Sequence, residues 1–582
     1  MKKRTRLLLC FLLALPLLVL SGCNKSVPND VLAEQTAFNE YLNEIFRDVA
    51  NSDTLTLNYT IQNPSLYDIE KKQPSLGQFT IEQMQKSYKK EWDYLNRLTD
   101  YNYENLTKDQ QLSYDMVKES FLLDFQYADY ILYNEVLAPT TGLQAQLPIL
   151  LAEYNLNSTT DIEDYLALLQ DIPRYFGQIC DFEVIKSKAG LFMSDDVANE
   201  IINQCAAFID QPDSNYMIEY FNEKMDAFPK LSDTEKQTFK ELNEDYVKRY
   251  IIPAYKNLMS TLNSLLGTGT NSEGLYYYKN GKAYYEYLVR SETGSSRPLN
   301  EIATMLEDTL SASLLDMATY VQSDPDVLQK LDSYEYIKTD PEEILVYLKK
   351  AVTKDFPSLP NVNCTIKYVH KSLQDYVSPA MYLIPQLDNY SENSIYINTN
   401  PEYDMSKIFT TIAHEGYPGH LYQNVYFRNQ DIHPIRNVIT NLGYEEGWAT
   451  YAEMYSYSIS GLDPSVAAIL KDNMVATHCI YSRTDIGIHY EGWTYEQVQD
   501  YLSKYVSPES CDLIYKALLE EPGLYLPYSV GYLEIMKLRE TAEKTLGKKF
   551  NLKEFHTFLL DIGPVNFDLI QNRMNDWLQD QK

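Results

Sequence analysis

The chain is 582 residues long and carries 82 Asp and Glu against 50 Lys and Arg, a formal charge of −32. Such a surplus repels both polyphosphate backbones and anionic lipid, which argues against a nucleic-acid partner and requires any membrane association to come from an anchor. With 45% apolar residues the chain has enough hydrophobic side chains for a large buried core.

At the start of the chain, Lys2, Lys3, Arg4 and Arg6 precede an apolar run from Leu7 to Leu20, the layout of a secretory signal. The run is short for a membrane span and is cut by Pro16. Leu20-Ser21-Gly22-Cys23 resembles the bacterial lipobox. That likeness implies a signal peptide over residues 1–22, lipidation of Cys23, a polar tether over 23–34 and a body anchored at the extracytoplasmic face of a bacterial membrane. The five later cysteines (180, 205, 364, 479 and 511) are odd in number and widely spaced. They read as scattered buried thiols, with a Cys180–Cys205 bridge left open, and no C-x-x-C pair supports a zinc knuckle.

From about residue 35 to 290 apolar and aromatic residues recur at three- and four-residue intervals, which predicts a helical N-terminal half. Thr107 with Gln110 and Ser232 with Glu235 fit capping boxes, the second opening a long helical segment toward Leu265. The Gly-rich stretch 267–274 breaks the pattern before a turn and a short helix. The second half, 291–582, changes character between about 360 and 400, where Cys364–Val369, Met381–Ile384 and Ser394–Ile397 predict a small sheet among Pro, Asn and Ser breaks. An edge strand there would line a cleft in which an extended peptide adds its own backbone hydrogen bonds. The fold class expected is mainly α: a large helical body with a central cleft and a small β-sheet at the cleft edge.

Immediately after the sheet lies TIAHEGYPGH. In H-E-x-x-H zinc helices the histidines stand four apart and share one face. Here His414 and His420 stand six apart, which on a regular helix leaves the rings about 120° from each other. Either two extra residues bulge out between Glu415 and His420, or the histidines are not a pair. Pro418 and Gly419 stand where such a bulge belongs, because proline removes a helical hydrogen bond and glycine accepts unusual dihedrals. A catalytic zinc needs a third protein ligand and one open position. Glu446, 26 residues on in GYEEGWATYAEMY, leaves room for the first helix to end and a second to return antiparallel, and is the expected third ligand, with Glu445 as fallback. Glu453, seven residues further along the same face, is placed to hold a ligand histidine. Glu415 is the expected general base toward a zinc-bound water.

Further candidates lie downstream. In SRTDIGIHYEGWT, Asp485 and His489 stand four apart, so that on a helix the carboxylate orients the imidazole as an oxyanion donor. His433 and His478 read as structural. Tyr528, chosen over Tyr532, is expected as an oxyanion stabiliser because Pro527 and Gly531 constrain its backbone. Arg483 and Arg539 read equally as substrate-carboxylate binders or as partners in structural ion pairs.

H-E-G-Y-P-G-H, E-G-W-A-T-Y-A-E, D-I-G-I-H-Y-E-G-W-T and Y-S-V-G-Y-L-E-I-M-K-L-R together resemble the bacterial domain-of-unknown-function family 885, over most of the chain and most specifically over 380–540. That family is similar in outline to helical gluzincin peptidases with a long cleft. The resemblance implies His414, His420 and Glu446 as zinc ligands and Glu415 as catalytic glutamate. A dipeptidyl-peptidase family with one added residue, H-E-x-x-G-H, is an analogous lengthened motif. The function expected is zinc-dependent hydrolysis of peptide bonds in short extracellular peptides. The rivals are a lipoprotein that binds peptide or another ligand without turnover, and a metal-dependent cell-wall amidase.

Overall fold

A computed structural model describes residues 28–581 apart from 372, 373, 375 and 376. The signal segment and Cys23 lie outside the described residues. The chain is mainly helical, with one three-stranded sheet. No described helix is long and apolar enough to cross a membrane.

Local signals account for many of the helix boundaries. Thr107 and Ser232 both form complete capping boxes, with Gln110 and Glu235, satisfying helix N-terminal amides that otherwise lack partners. The segment that begins after Ser232 runs through a π turn at Val247–Ile251 into the helix Ile252–Leu265. Pro253, which has no amide hydrogen, follows that widened turn directly. The Gly-rich break leads into Gly281–Thr293, as the composition predicts.

The strands are β1 (Asn363–Tyr368), β2 (Ala380–Leu383) and β3 (Glu392–Ile397). β3 is central, parallel to β1 and antiparallel to β2. Side chains alternate between faces, so Ile395, Ile397, Ala380 and Tyr382 join the core that contains the metal-motif helix, while Tyr396, Met381 and Leu383 face the N-terminal helices. β2 pairs on one side only, which leaves its other edge toward the helices that follow.

Those helices are α1 (Phe409–Glu415), α2 (His420–Arg428), α3 (Leu442–Ser456), α4 (Pro464–Ile486) and α5 (Leu526–Leu546). One hydrophobic cluster joins them to residues between Phe38 and Tyr133, and a second, from Leu76 to Leu265, packs on the opposite face of the sheet. Beside the second cluster, a cavity of about 430 Å³ opens between Pro139–Pro148 and Val377, Ser378 and Tyr403. All five described cysteines are unpaired, so Cys180 and Cys205 form no bridge.

α3 packs on α5 backbone to backbone. A Cβ on Gly531 would stand 1.9 Å from the Gly443 carbonyl oxygen, and one on Gly447 would stand 2.4 Å from the Gly531 carbonyl carbon. Only glycine allows the two backbones to touch, and this contact sets Glu446 of α3 beside Tyr528 of α5. Gly531→Ala should therefore destabilise the protein by about 1–3 kcal/mol or more in urea unfolding. Gly177→Ala, in a helix where nothing lies within 4 Å of the added Cβ, should be neutral or stabilising by up to about 1 kcal/mol.

Candidate metal centre

The motif resolves as two helices joined by a widened turn. α1 ends at Glu415 and α2 starts at His420, with Gly416 and Gly419 both in non-helical backbone conformations. The helical ladder is not abandoned across the join. Gly419 N–H donates to Ala413 O at 3.0 Å and Tyr422 N–H to Gly416 O at 3.1 Å, each spanning six residues where a helix spans four. The two added residues are thus looped out while the axis carries on, and His420 returns to the position an i+4 histidine would hold. A Cβ on Gly419 would fall 1.7 Å from the His414 carbonyl oxygen, so no other residue fits. Trp448 of α3, fully buried, fastens the loop by donating its indole N–H to Pro418 O at 2.9 Å.

His414, His420 and Glu446 converge, with ligand atoms all within 4.8 Å of one another. Glu446 Oε2 lies 3.5 Å from Nε2 of both histidines. Tetrahedral ligands at about 2.0–2.1 Å from zinc are separated by about 3.3–3.4 Å, so these edges match a zinc site to within a small adjustment. The same Oε2 is buried and has no hydrogen-bond partner. A buried carboxylate oxygen left bare between two imidazoles fits a bound cation. The histidine–glutamate donor set is that of catalytic zinc centres.

Electrostatics agree with the geometry. Burial alone would raise the Glu446 carboxyl, but His420 and His414 overcome it and hold the group well below the usual carboxylate range. Burial would likewise depress His414, yet Glu446, Glu453 and Glu415 keep it well above the ordinary histidine value. Glu453 Oε2 stands 3.4 Å from His414 Nδ1, the partner expected of it, and leaves Nε2 to face the site. Glu445 also borders His420, and burial pushes it up to about 7.

Glu415 accepts the Tyr382 N–H, from the open edge of β2, at 2.7 Å on Oε2. Burial raises its carboxyl against the pull of His414 and His420, which makes it a stronger proton acceptor than an exposed glutamate. Tyr528 stacks on His414 at 6.2 Å between centroids, and burial, joined by the charges of Glu446 and Glu415, raises its hydroxyl. His478 of α4, which the sequence reading leaves structural, lies 6.3 Å from the Tyr528 ring and feels the charge of Glu453. Its membership in the histidine-rich stretch 414–489 was the available signal.

Four candidate residues have partners outside the His414–His420–Glu446 group. His489 accepts the Leu275 N–H on Nδ1 at 3.1 Å and meets Leu518 O from Nε2 at 2.8 Å, so both ring nitrogens are spent on backbone. Asp485 does not orient it: its carboxylate takes the Tyr285 hydroxyl and, at 2.9 Å, the Gly523 N–H. The two groups, at the junction of α4 with a π turn at Gly487–Glu491, are each satisfied by other elements. Arg483 is bound to Glu307 at 2.6 Å and Glu491 at 2.9 Å and lies over Trp493. Arg539 holds Glu543 and the Tyr451 hydroxyl, which in turn meets His556. Of the two readings of these arginines, the ion pairs are the one the contacts match. Tyr532 packs away from the triad, near Tyr451 and Cys479.

The fold and site thus define a mainly helical protein with a His₂Glu centre behind a small sheet. The chain belongs to the family described as bacterial protein of unknown function, DUF885, which it matches over residues 67–574. It is similar in fold to a protein from Colwellia psychrerythraea, at 18% identity and a TM-score of 0.81 over 94% of this chain and 99% of that one. A second protein, from Shewanella oneidensis, matches at 16% identity and a TM-score of 0.63 over the same shares. Both are described as putative lipoproteins, the second of unknown function. No curated protein matches.

Two outcomes are expected. Glu453→Gln should weaken zinc affinity about 10–100-fold in competition with a chelator, because His414 loses the acceptor that orients its ring. The second concerns His489, which burial lowers to about 4 from an ordinary 6.5. Protons then bind the unfolded chain more tightly, so the penalty is absent above about pH 6.5, grows as pH falls below it and levels off near 4. At pH 5 it amounts to about 2 kcal/mol. His489→Gln should lose that share of the acid-induced drop in stability between pH 7 and 5, whatever its stability at pH 7.

Proposed function

We propose that this chain is a zinc-dependent metallopeptidase, gluzincin-like in plan, that hydrolyses peptide bonds of short extracellular peptides from a lipid anchor at Cys23. The observation that carries the reading is the bare Glu446 oxygen equidistant from His414 and His420, with Glu415 next in sequence to a ligand. A binding protein has no need of a buried carboxylate base beside such a centre. The lipobox-like start of the chain, and two fold neighbours described as lipoproteins, support the anchor.

Zinc held by His414, His420 and Glu446 would supply Lewis acidity toward a peptide carbonyl. Glu415 takes the proton of the attacking water on the oxygen that Tyr382 leaves free and returns it to the departing amine. Tyr528, whose ring stacks on His414, would donate its hydroxyl to the developing oxyanion. Burial keeps that hydroxyl protonated well above neutral pH, as a donor must be.

The decisive comparison is metal content and cleavage of a peptide panel by the wild type and Glu415→Gln. The wild type should hold one zinc and cleave peptides, and the variant should keep the zinc and lose about 10²–10⁴-fold in rate. A wild type without stoichiometric zinc, or a variant at full activity, overturns the proposal. Zinc without cleavage would favour ligand binding, and cleavage confined to cell-wall peptides the amidase.

A further inference from the structure

The face of the sheet turned away from the metal centre forms the floor of a separate cavity of about 610 Å³, within the range of about 300–1,000 Å³ that small-molecule sites occupy. Tyr59, Glu153, Tyr220, Lys224, Lys367 and Tyr396 contribute its polar wall. Glu153 organises it. One carboxylate oxygen accepts the Tyr220 hydroxyl at 2.5 Å and the other the Tyr396 hydroxyl at 3.0 Å, so each oxygen is held by a tyrosine. Each tyrosine ring then carries a lysine: Lys224 Nζ lies 5.4 Å from the Tyr220 centroid and Lys367 Nζ 5.3 Å from that of Tyr396.

Neither lysine forms an ion pair among the described residues. Lys224 donates to the Ala152 and Tyr154 carbonyls at 2.5 and 2.8 Å, which leaves one of its three donors. Lys367 reaches only the Tyr396 hydroxyl, at 3.4 Å. The remaining carboxylates of the lining, Glu223 and Glu392, are exposed at the rim, where Glu392 already accepts from Asn363 and Glu223 faces His370 at 3.8 Å. Two cations are therefore gathered on an aromatic wall in a chain of charge −32. Desolvation, against the pull of Glu153 and with help from Lys367, lowers Lys224 to about 8, a cost that an incoming anion would offset.

We propose that this cavity binds an organic carboxylate with an aromatic or branched apolar body, its carboxylate between Lys224 and Lys367 and its body against the tyrosine rings and Leu383. The site is distinct from the metal centre because strand alternation sends Tyr396 and Leu383 to one face and Ile395 and Tyr382 to the other. It is one residue away along β2, since Tyr382 supplies the N–H that holds Glu415 and Leu383 lines the cavity.

Calorimetric titration of 4-hydroxyphenylacetate into the full chain tests this, with the protein first stripped of metal by chelator so that a carboxylate on zinc does not contribute. One equivalent should bind, the neutral amide of the same acid should not, and Lys367→Gln should weaken binding about tenfold or more through loss of a charge-assisted contact. Lys367 is exposed on its strand, so that variant is expected to fold, and its thermal unfolding should match the wild type. Lys224→Met should weaken binding further. No binding up to about 10 mM, equal binding of the amide, or undiminished binding by a folded Lys367→Gln variant overturns the proposal. A wild type that fails to cleave peptides leaves it standing.

Discussion

The arrangement of the centre depends on one backbone constraint, the two residues looped out between Glu415 and His420. Gly419 makes it possible, because any side chain there would collide with the His414 carbonyl. Trp448 fixes it, because its indole bonds to the loop from the helix that also carries Glu446. One helix therefore both closes the loop and carries Glu446, so the spacing of the histidines and the position of the carboxylate are set by the same contact. The glycine-to-glycine approach of α3 and α5 extends the chain of dependence to Tyr528. A change at any of these small residues would move several functional groups at once.

Charge follows from that packing. Three largely buried carboxylates, Glu415, Glu446 and Glu453, surround two imidazoles, and the excess of negative charge raises His414 although burial acts against it. Elsewhere in the same protein burial wins. His489, His433 and His556 are all depressed, to between about 3 and 4, because desolvation outweighs the few groups that favour their charged form. Histidine chemistry here is decided by whether carboxylates are brought to the ring.

Much of the local structure was legible. The capping boxes at Thr107 and Ser232, the three strands and the helix after the Gly-rich break all appear close to where short-range patterns place them, because each depends on residues within one or two turns. The pairing of Asp485 with His489 fails for the same kind of reason. It weighed only groups one turn apart, whereas Tyr285, Gly523, Leu275 and Leu518 supply the partners from distant segments. Tyr528 was found from its constrained neighbours, whereas His478 was passed over because nothing adjacent in sequence marks it. Its relation to the site exists only through the packing of α4 beside α5.

By itself the sequence determined the helical class, the small sheet, the identity of His414, Glu415, His420 and Glu446 as a candidate set, and the need for a bulge between the histidines, since helical periodicity makes six-residue spacing incompatible with a shared ion. Tertiary structure alone decided how that need is met, with hydrogen bonds spanning six residues and an indole from another helix holding the loop. It also decided which charged groups face one another, drawing Glu453 and Tyr528 toward His414 and committing Arg483, Arg539 and His489 to the framework. The physical reason is that a motif's spacing is a property of one helix, while the field at a ring nitrogen is summed over every element packed against it.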